Sequence, residues 1–198
     1  MREVSIAGRE ACGGCIGKMK EVTGKAGYSL LFAYSHDDVQ RAVEEETALL
    51  GERSYRERKD GTREELLGEI VMDGEYDNLF RRYFDEACGA VTLALPRKVI
   101  RHTVTDLHPP VIEGQNVDKD RDFFLELALP TSFPVQYRGG LNALIGGFLV
   151  DYICGRWLET KVADEGAKYL GRADGRLEQV KKILMGAWGE VRRTPSWP

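Results

Sequence analysis

Between Leu141 and Leu158 the chain reads LNALIGGFLVDYICGRWL, and its apolar side chains reach almost every face of a helix. A helix without a polar face must be enclosed by the rest of the molecule. Asp151, Arg156 and several glycines interrupt the run, so it reads as a central core helix from about Leu141 to Thr160 and not as a bilayer span. Gly146 and Gly147 weaken such a helix by about 1 kcal/mol each relative to Ala. Their expected compensation is the close approach of a neighbouring helix.

Further helices are expected around it. Tyr76, Leu79, Phe80, Tyr83, Phe84, Ala87, Cys88, Val91 and Leu95 recur at helical spacing, which predicts a helix over Glu75–Leu95 that Pro96 ends. Ser35, followed by Asp37 and Asp38, suits a helix start. Val39, Ala42 and Val43 continue that helix, and Gly51 reads as its stop. The charged stretch Glu52–Gly61 then reads as a solvated connection. Thr62 and Glu65 fit a capping box for a short helix to Val71. Tyr169, Leu170, Ala173, Leu177, Val180, Ile183, Leu184 and Trp188 predict a last helix over Asp164–Val191.

The period changes to two in the middle. Val99, Arg101, Thr103, Thr105 and Leu107 alternate with Ile100, His102, Val104 and Asp106. Phe123, Leu125, Leu127 and Leu129 alternate with Phe124, Glu126 and Ala128. Two such runs around the polar loop Glu113–Arg121 read as an antiparallel ribbon at about 97–129. The expected fold is therefore mainly α with an inserted antiparallel β-ribbon, an α+β helical bundle over residues 30–191. Residues 1–29 read as a flexible leader, and 192–198 as a basic, proline-rich tail.

The 198 residues carry a net charge of −4, which disfavours a nucleic-acid-binding surface over the whole chain. Met1–Gly27 has no apolar segment of signal-peptide type. Cys12 and Cys15 form a lone CGGC in the leader. A structural zinc site wants four ligands, and His36, His102 and His108 do not stand at ligand spacing to the pair. Cys88 and Cys154 sit in apolar helical patterns as core residues. The carboxylate runs Glu44–Glu46 and Glu64–Glu65 spread around their helices and read as solvated faces. No nucleophile elbow, P-loop or dinucleotide fingerprint is present. The expectation is no catalytic, cofactor or metal site.

What remains is contact chemistry. A ribbon offers strand edges to another chain, and its loop supplies Glu113, Gln115, Asn116, Asp118 and Lys119. The tail supplies Arg192, Arg193 and Trp197. These are the candidate subunit-contact residues. A competing reading is a small helical enzyme or ligand-binding domain with a deep pocket of convergent polar groups near the central helix, where Asp151, Tyr152 and Arg156 are the first residues to inspect.

The segments VQRAVEEETALLG, YDNLFRRYFDEACGAV and LIGGFLVDYICGRWLE, with the closing RRTP, carry a resemblance over residues 30–195. The chain resembles a group of uncharacterised proteins encoded in prophage structural regions of Bacteroides-type bacteria. In outline it is similar to the head–tail connector, adaptor and tail-completion proteins of tailed bacteriophages. The resemblance implies a virion structural protein acting in an oligomeric ring at the neck. Its implied partners are other copies of itself and portal, neck or tail proteins, with nucleic acid incidental and no membrane. It implies a place in the virion, and in the host cytoplasm during assembly.

Overall fold

A computed structural model describes residues 16–24, 27–58, 63–103, 111–112, 115–116, 122–130 and 132–186. The fold is mainly helical with antiparallel β-structure. In chain order the elements are β1 (Lys18–Gly24), β2 (Gly27–Tyr34), α1 (His36–Arg58), α2 (Arg63–Ile70), a short 3-10 turn (Gly74–Tyr76), α3 (Asp77–Ala94), β3 (Val99–His102), β4 (Val111–Ile112), β5 (Gln115–Asn116), β6 (Phe123–Leu129), α4 (Gln136–Leu158) and α5 (Ala163–Met185).

The ribbon exists, since β3 and β6 pair antiparallel with a register shift between Val99 and Arg101. The other edge of β6 pairs with β2 from Tyr28↔Leu129 to Tyr34↔Phe123, which places β6 inside a four-stranded sheet of order β1-β2-β6-β3. Leu30, Phe32, Tyr34, Phe123, Leu125, Leu127 and Leu129 pack into the helical core, while Leu31, Ala33 and Phe124 form a separate buried cluster. Strand alternation sends the two sets to opposite faces.

Residues 18–24 and 27–29, expected as part of a flexible leader, lie in strands. Lys18–Gly24 pairs with Gly27–Tyr34 as a hairpin, register Lys18↔Ala33 to Gly24↔Gly27. Its start is fixed to the central helix: Asn142 Nδ2 donates to the Gly17 carbonyl at 3.1 Å, and Tyr34 Oη donates to Asn142 Oδ1 at 3.0 Å. The ordering comes from β2, whose apolar side chains are buried on both faces.

Gly51 does not stop α1. The helix continues to Arg58, so part of the expected connection 52–61 is helical. Gly51 is buried where α2 crosses, and a Cβ there would come within 2.7 Å of Leu67 Cδ2. The glycine serves close packing instead of termination. The first amide of α1 donates to Asp122 Oδ1 at 3.1 Å, so this helix end is also capped from the segment before β6. The expected cap Thr62 lies outside the described residues. The exit of α2 is held twice: Trp157 Nε1 donates to the Ile70 carbonyl at 2.7 Å, and the Met72 amide to Thr47 Oγ1 at 3.2 Å.

α4 is enclosed as expected, but it begins at Gln136, so Gly139 and Gly140 lie in its first turns and do not break it. Of the two glycines at its middle, Gly147 faces the Arg176 side chain of α5, a helix neighbour. Gly146 faces the Ile16 carbonyl, 2.8 Å from where a Cβ would stand, so its close neighbour is the backbone just before β1 and not a helix. α5 ends at Met185, before the expected Val191, because Gly186 turns to an extended ψ of 145°.

Candidate functional site

Two polar clusters stand out among the described residues. The larger lies where α1, α4 and α5 meet. Glu165, Lys168, Tyr169, Arg172 and Arg176 recur at three- and four-residue spacing, so α5 presents them on one face. Asp151 meets that face from α4 and is 2% exposed. Arg172 Nη2 donates to Asp151 Oδ1 at 2.8 Å and Arg176 Nε to Asp151 Oδ2 at 2.6 Å. Burial pushes the Asp151 carboxyl above its ordinary value, and the guanidiniums of Arg176 and Arg172 pull against it. The Arg172 guanidinium also lies 4.0 Å from the Tyr169 ring centroid. Tyr169 Oη donates to Glu46 Oε2 at 3.1 Å, and burial, reinforced by the Glu46 charge, pushes the phenol up to about 12.

At the solvent end, Glu165 joins two cations. Arg53 of α1 lies 3.1 Å from it and Lys168 lies 2.6 Å away. The Lys168 hydrogen bond holds the Glu165 carboxyl below its ordinary range. Arg53, Glu165, Lys168, Tyr169 and Arg172 line an open pocket of about 360 Å³.

The smaller cluster sits on the outer face of the sheet. Glu126 of β6 is buried, accepts from Ser29 Oγ of β2 at 2.5 Å, and pairs with Arg101 of β3. One carboxylate thus links three neighbouring strands, which offsets the cost of its burial. Sequence reasoning missed this link. The alternation puts Glu126 and Arg101 within their strands, but Ser29 enters only through β2.

Asp151, Tyr152 and Arg156, the residues to inspect under the enzyme reading, have different surroundings. Asp151 faces α5. Arg156 turns to α3, 3.4 Å from Glu86, and spans to Glu159 at 2.9 Å. Tyr152 packs on Phe148, and burial with the Glu86 charge pushes its hydroxyl up. His36 is buried with its ring edge toward Phe80, centroids 4.9 Å apart, and toward Phe84 at 5.4 Å. Cys154 is buried and Cys88 partly so, and desolvation pushes both thiols well up, which suits core residues.

Of the candidate contact residues, Gln115 and Asn116 form β5, which pairs with β4 where a loop is expected. Glu113, Asp118, Lys119, Arg192, Arg193 and Trp197 lie outside the described residues, as do Cys12, Cys15 and His108. A different surface stands out. Leu93, 80% exposed, and Ile100, 54% exposed, flank the turn from α3 into β3, and the far edge of β3 pairs with no other described strand.

Among the described residues no helix is long and apolar enough to cross a membrane. The fold and its polar clusters define a mainly helical α+β protein with a four-stranded antiparallel sheet. Comparison with family models, curated proteins and solved structures gives no match.

Proposed function

We propose that this chain is a structural subunit of a tailed-phage or prophage particle, a head–tail connector, adaptor or tail-completion protein that works as an oligomeric ring. The observation that supports this most is the surface at β3. Beside it, Leu93 and Ile100 place large apolar side chains in water, and a neighbouring subunit would bury them. Repetition of one such contact around an axis closes a ring.

Native mass spectrometry and light scattering on the full chain test the assembly. A discrete oligomer is expected, and L93E/I100E is expected to dissociate it while leaving the far-ultraviolet circular dichroism unchanged. A chain that stays monomeric at its highest soluble concentration sinks the ring. Mass spectrometry of purified particles from a strain encoding the chain tests the location; its absence from intact particles would rule out a virion role.

A further inference from the structure

The pocket between α1 and α5 has a chemistry that assembly does not require. Its lining carries three cations, Arg53, Lys168 and Arg172, against one carboxylate, Glu165, in a chain of net charge −4. Of the cluster's other carboxylates, Asp151 lies deeper and Glu46 is half-buried. Asp151 is buried beneath the guanidiniums of Arg172 and Arg176, and Glu46 accepts the Tyr169 hydroxyl. Positive charge therefore faces solvent while the compensating negative charge lies behind it.

The cations are also held in place. Arg172 gives one N–H to Asp151 and is hydrogen-bonded to Tyr169 beside that ring, and a guanidinium with five N–H donors keeps others for a ligand. Glu165 ties Arg53 and Lys168 to the rim. A held guanidinium beside two cations paired to Glu165 matches a tetrahedral oxyanion, because Arg supplies paired, charge-assisted hydrogen bonds in a rigid fork. The geometry points to a binding site for a phosphate group, free or carried by a small phosphomonoester, at Arg53, Lys168 and Arg172. The size supports a small ligand: about 360 Å³ is near the lower end for ligand pockets. Arg172 covers a face of the Tyr169 ring, which removes that face as a stacking platform for a nucleobase.

This inference does not rest on the particle assignment, and its test reads ligand binding, not oligomeric state. Calorimetry and amide chemical-shift titration on the full chain would use inorganic phosphate, adenosine triphosphate and a short single-stranded DNA at constant ionic strength. Saturable phosphate binding is expected, with shifts centred on residues 165–172. R53Q/K168Q changes two largely exposed side chains and is expected to weaken binding about tenfold or more. R172K keeps the charge, loses the fork and is expected to weaken it as well, while K182Q, farther along α5, leaves it unchanged. No saturable phosphate binding overturns the site. So does binding that R53Q/K168Q leaves intact, or saturable binding of the DNA alone.

Discussion

Three glycines of α5 make a matched test of the packing. Gly166 is buried in its first turn, where α5 leaves the short connection from α4. A Cβ there would stand 2.7 Å from the Glu159 nitrogen, 2.9 Å from its Cα and 3.0 Å from the Leu158 carbonyl carbon. These are backbone atoms, and the Glu159 amide is itself tied to the Gly155 carbonyl at 2.9 Å, so relief requires the two helices to part. Overpacking of this kind costs about 1–3 kcal/mol. Alanine regains part of that through helix propensity, less than the full ~1 kcal/mol because the first turn is incompletely hydrogen-bonded. G166A should therefore lose about 1–2 kcal/mol. Gly171 and Gly175 lie on the same helix, exposed, with nothing within 4 Å of a Cβ. G171A and G175A should each gain about 0.5–1 kcal/mol. For a chain of 198 residues, 1 kcal/mol moves Tm by roughly 2–4 °C. G166A should melt roughly 2–8 °C lower, and the other two roughly 1–4 °C higher. Thermal unfolding followed at 222 nm, with urea titration as a check, reads the sign. If G166A melts above the wild type as G171A does, the close approach of α4 and α5 is wrong.

Asp151→Asn should cost about 1–2 kcal/mol, because Arg172 and Arg176 can both reach water, whereas R172A/R176A orphans a buried carboxylate and should cost about 3–5 kcal/mol. Urea titration that ranks the two the other way refutes the buried-anchor role of Asp151. Trp157→Phe removes the donor to the Ile70 carbonyl and should cost about 1–3 kcal/mol; an unchanged urea midpoint would count against that bond. Tyr169 ionises near 12 in the fold against an ordinary 10.0. The folded chain then keeps a proton that the unfolded chain releases, so stability drops as pH rises from 10 through 12. The wild type should lose more over that window than Y169F, and equal losses would show that Tyr169 ionises normally.

Much of the helical half is legible in the sequence because its signal is local. The stripe Phe80, Tyr83, Phe84, Ala87 and Val91 buries as its spacing dictates, and the unbroken apolar run of α4 lies at the centre. The alternation of Phe123–Leu129 also reports its two faces correctly. The strand GYSLLFAY escapes the same reasoning. It is apolar on both faces, so it shows no alternation, and its second partner β6 lies far along the chain. Gly51 misleads because an α1 glycine serving close packing against Leu67 looks identical in sequence to a helix stop. Asp151 attracts notice as an acid inside an apolar run, but its partners Arg172 and Arg176 lie on another helix. Only folding brings Arg53 of α1 to the same rim.

The sheet order carries a cost in time. Register pairs Tyr34 with Phe123, so on a ribosome the first hairpin emerges roughly ninety residues ahead of the strand that covers its inner edge. At synthesis rates of about 5–20 residues per second, that interval is roughly five to eighteen seconds. Throughout it Leu30, Leu31 and Phe32 lack their native neighbours, on a strand whose backbone is open along one side. Nascent chains stalled before Phe123 should therefore be the species that chaperones hold and that aggregates when they do not.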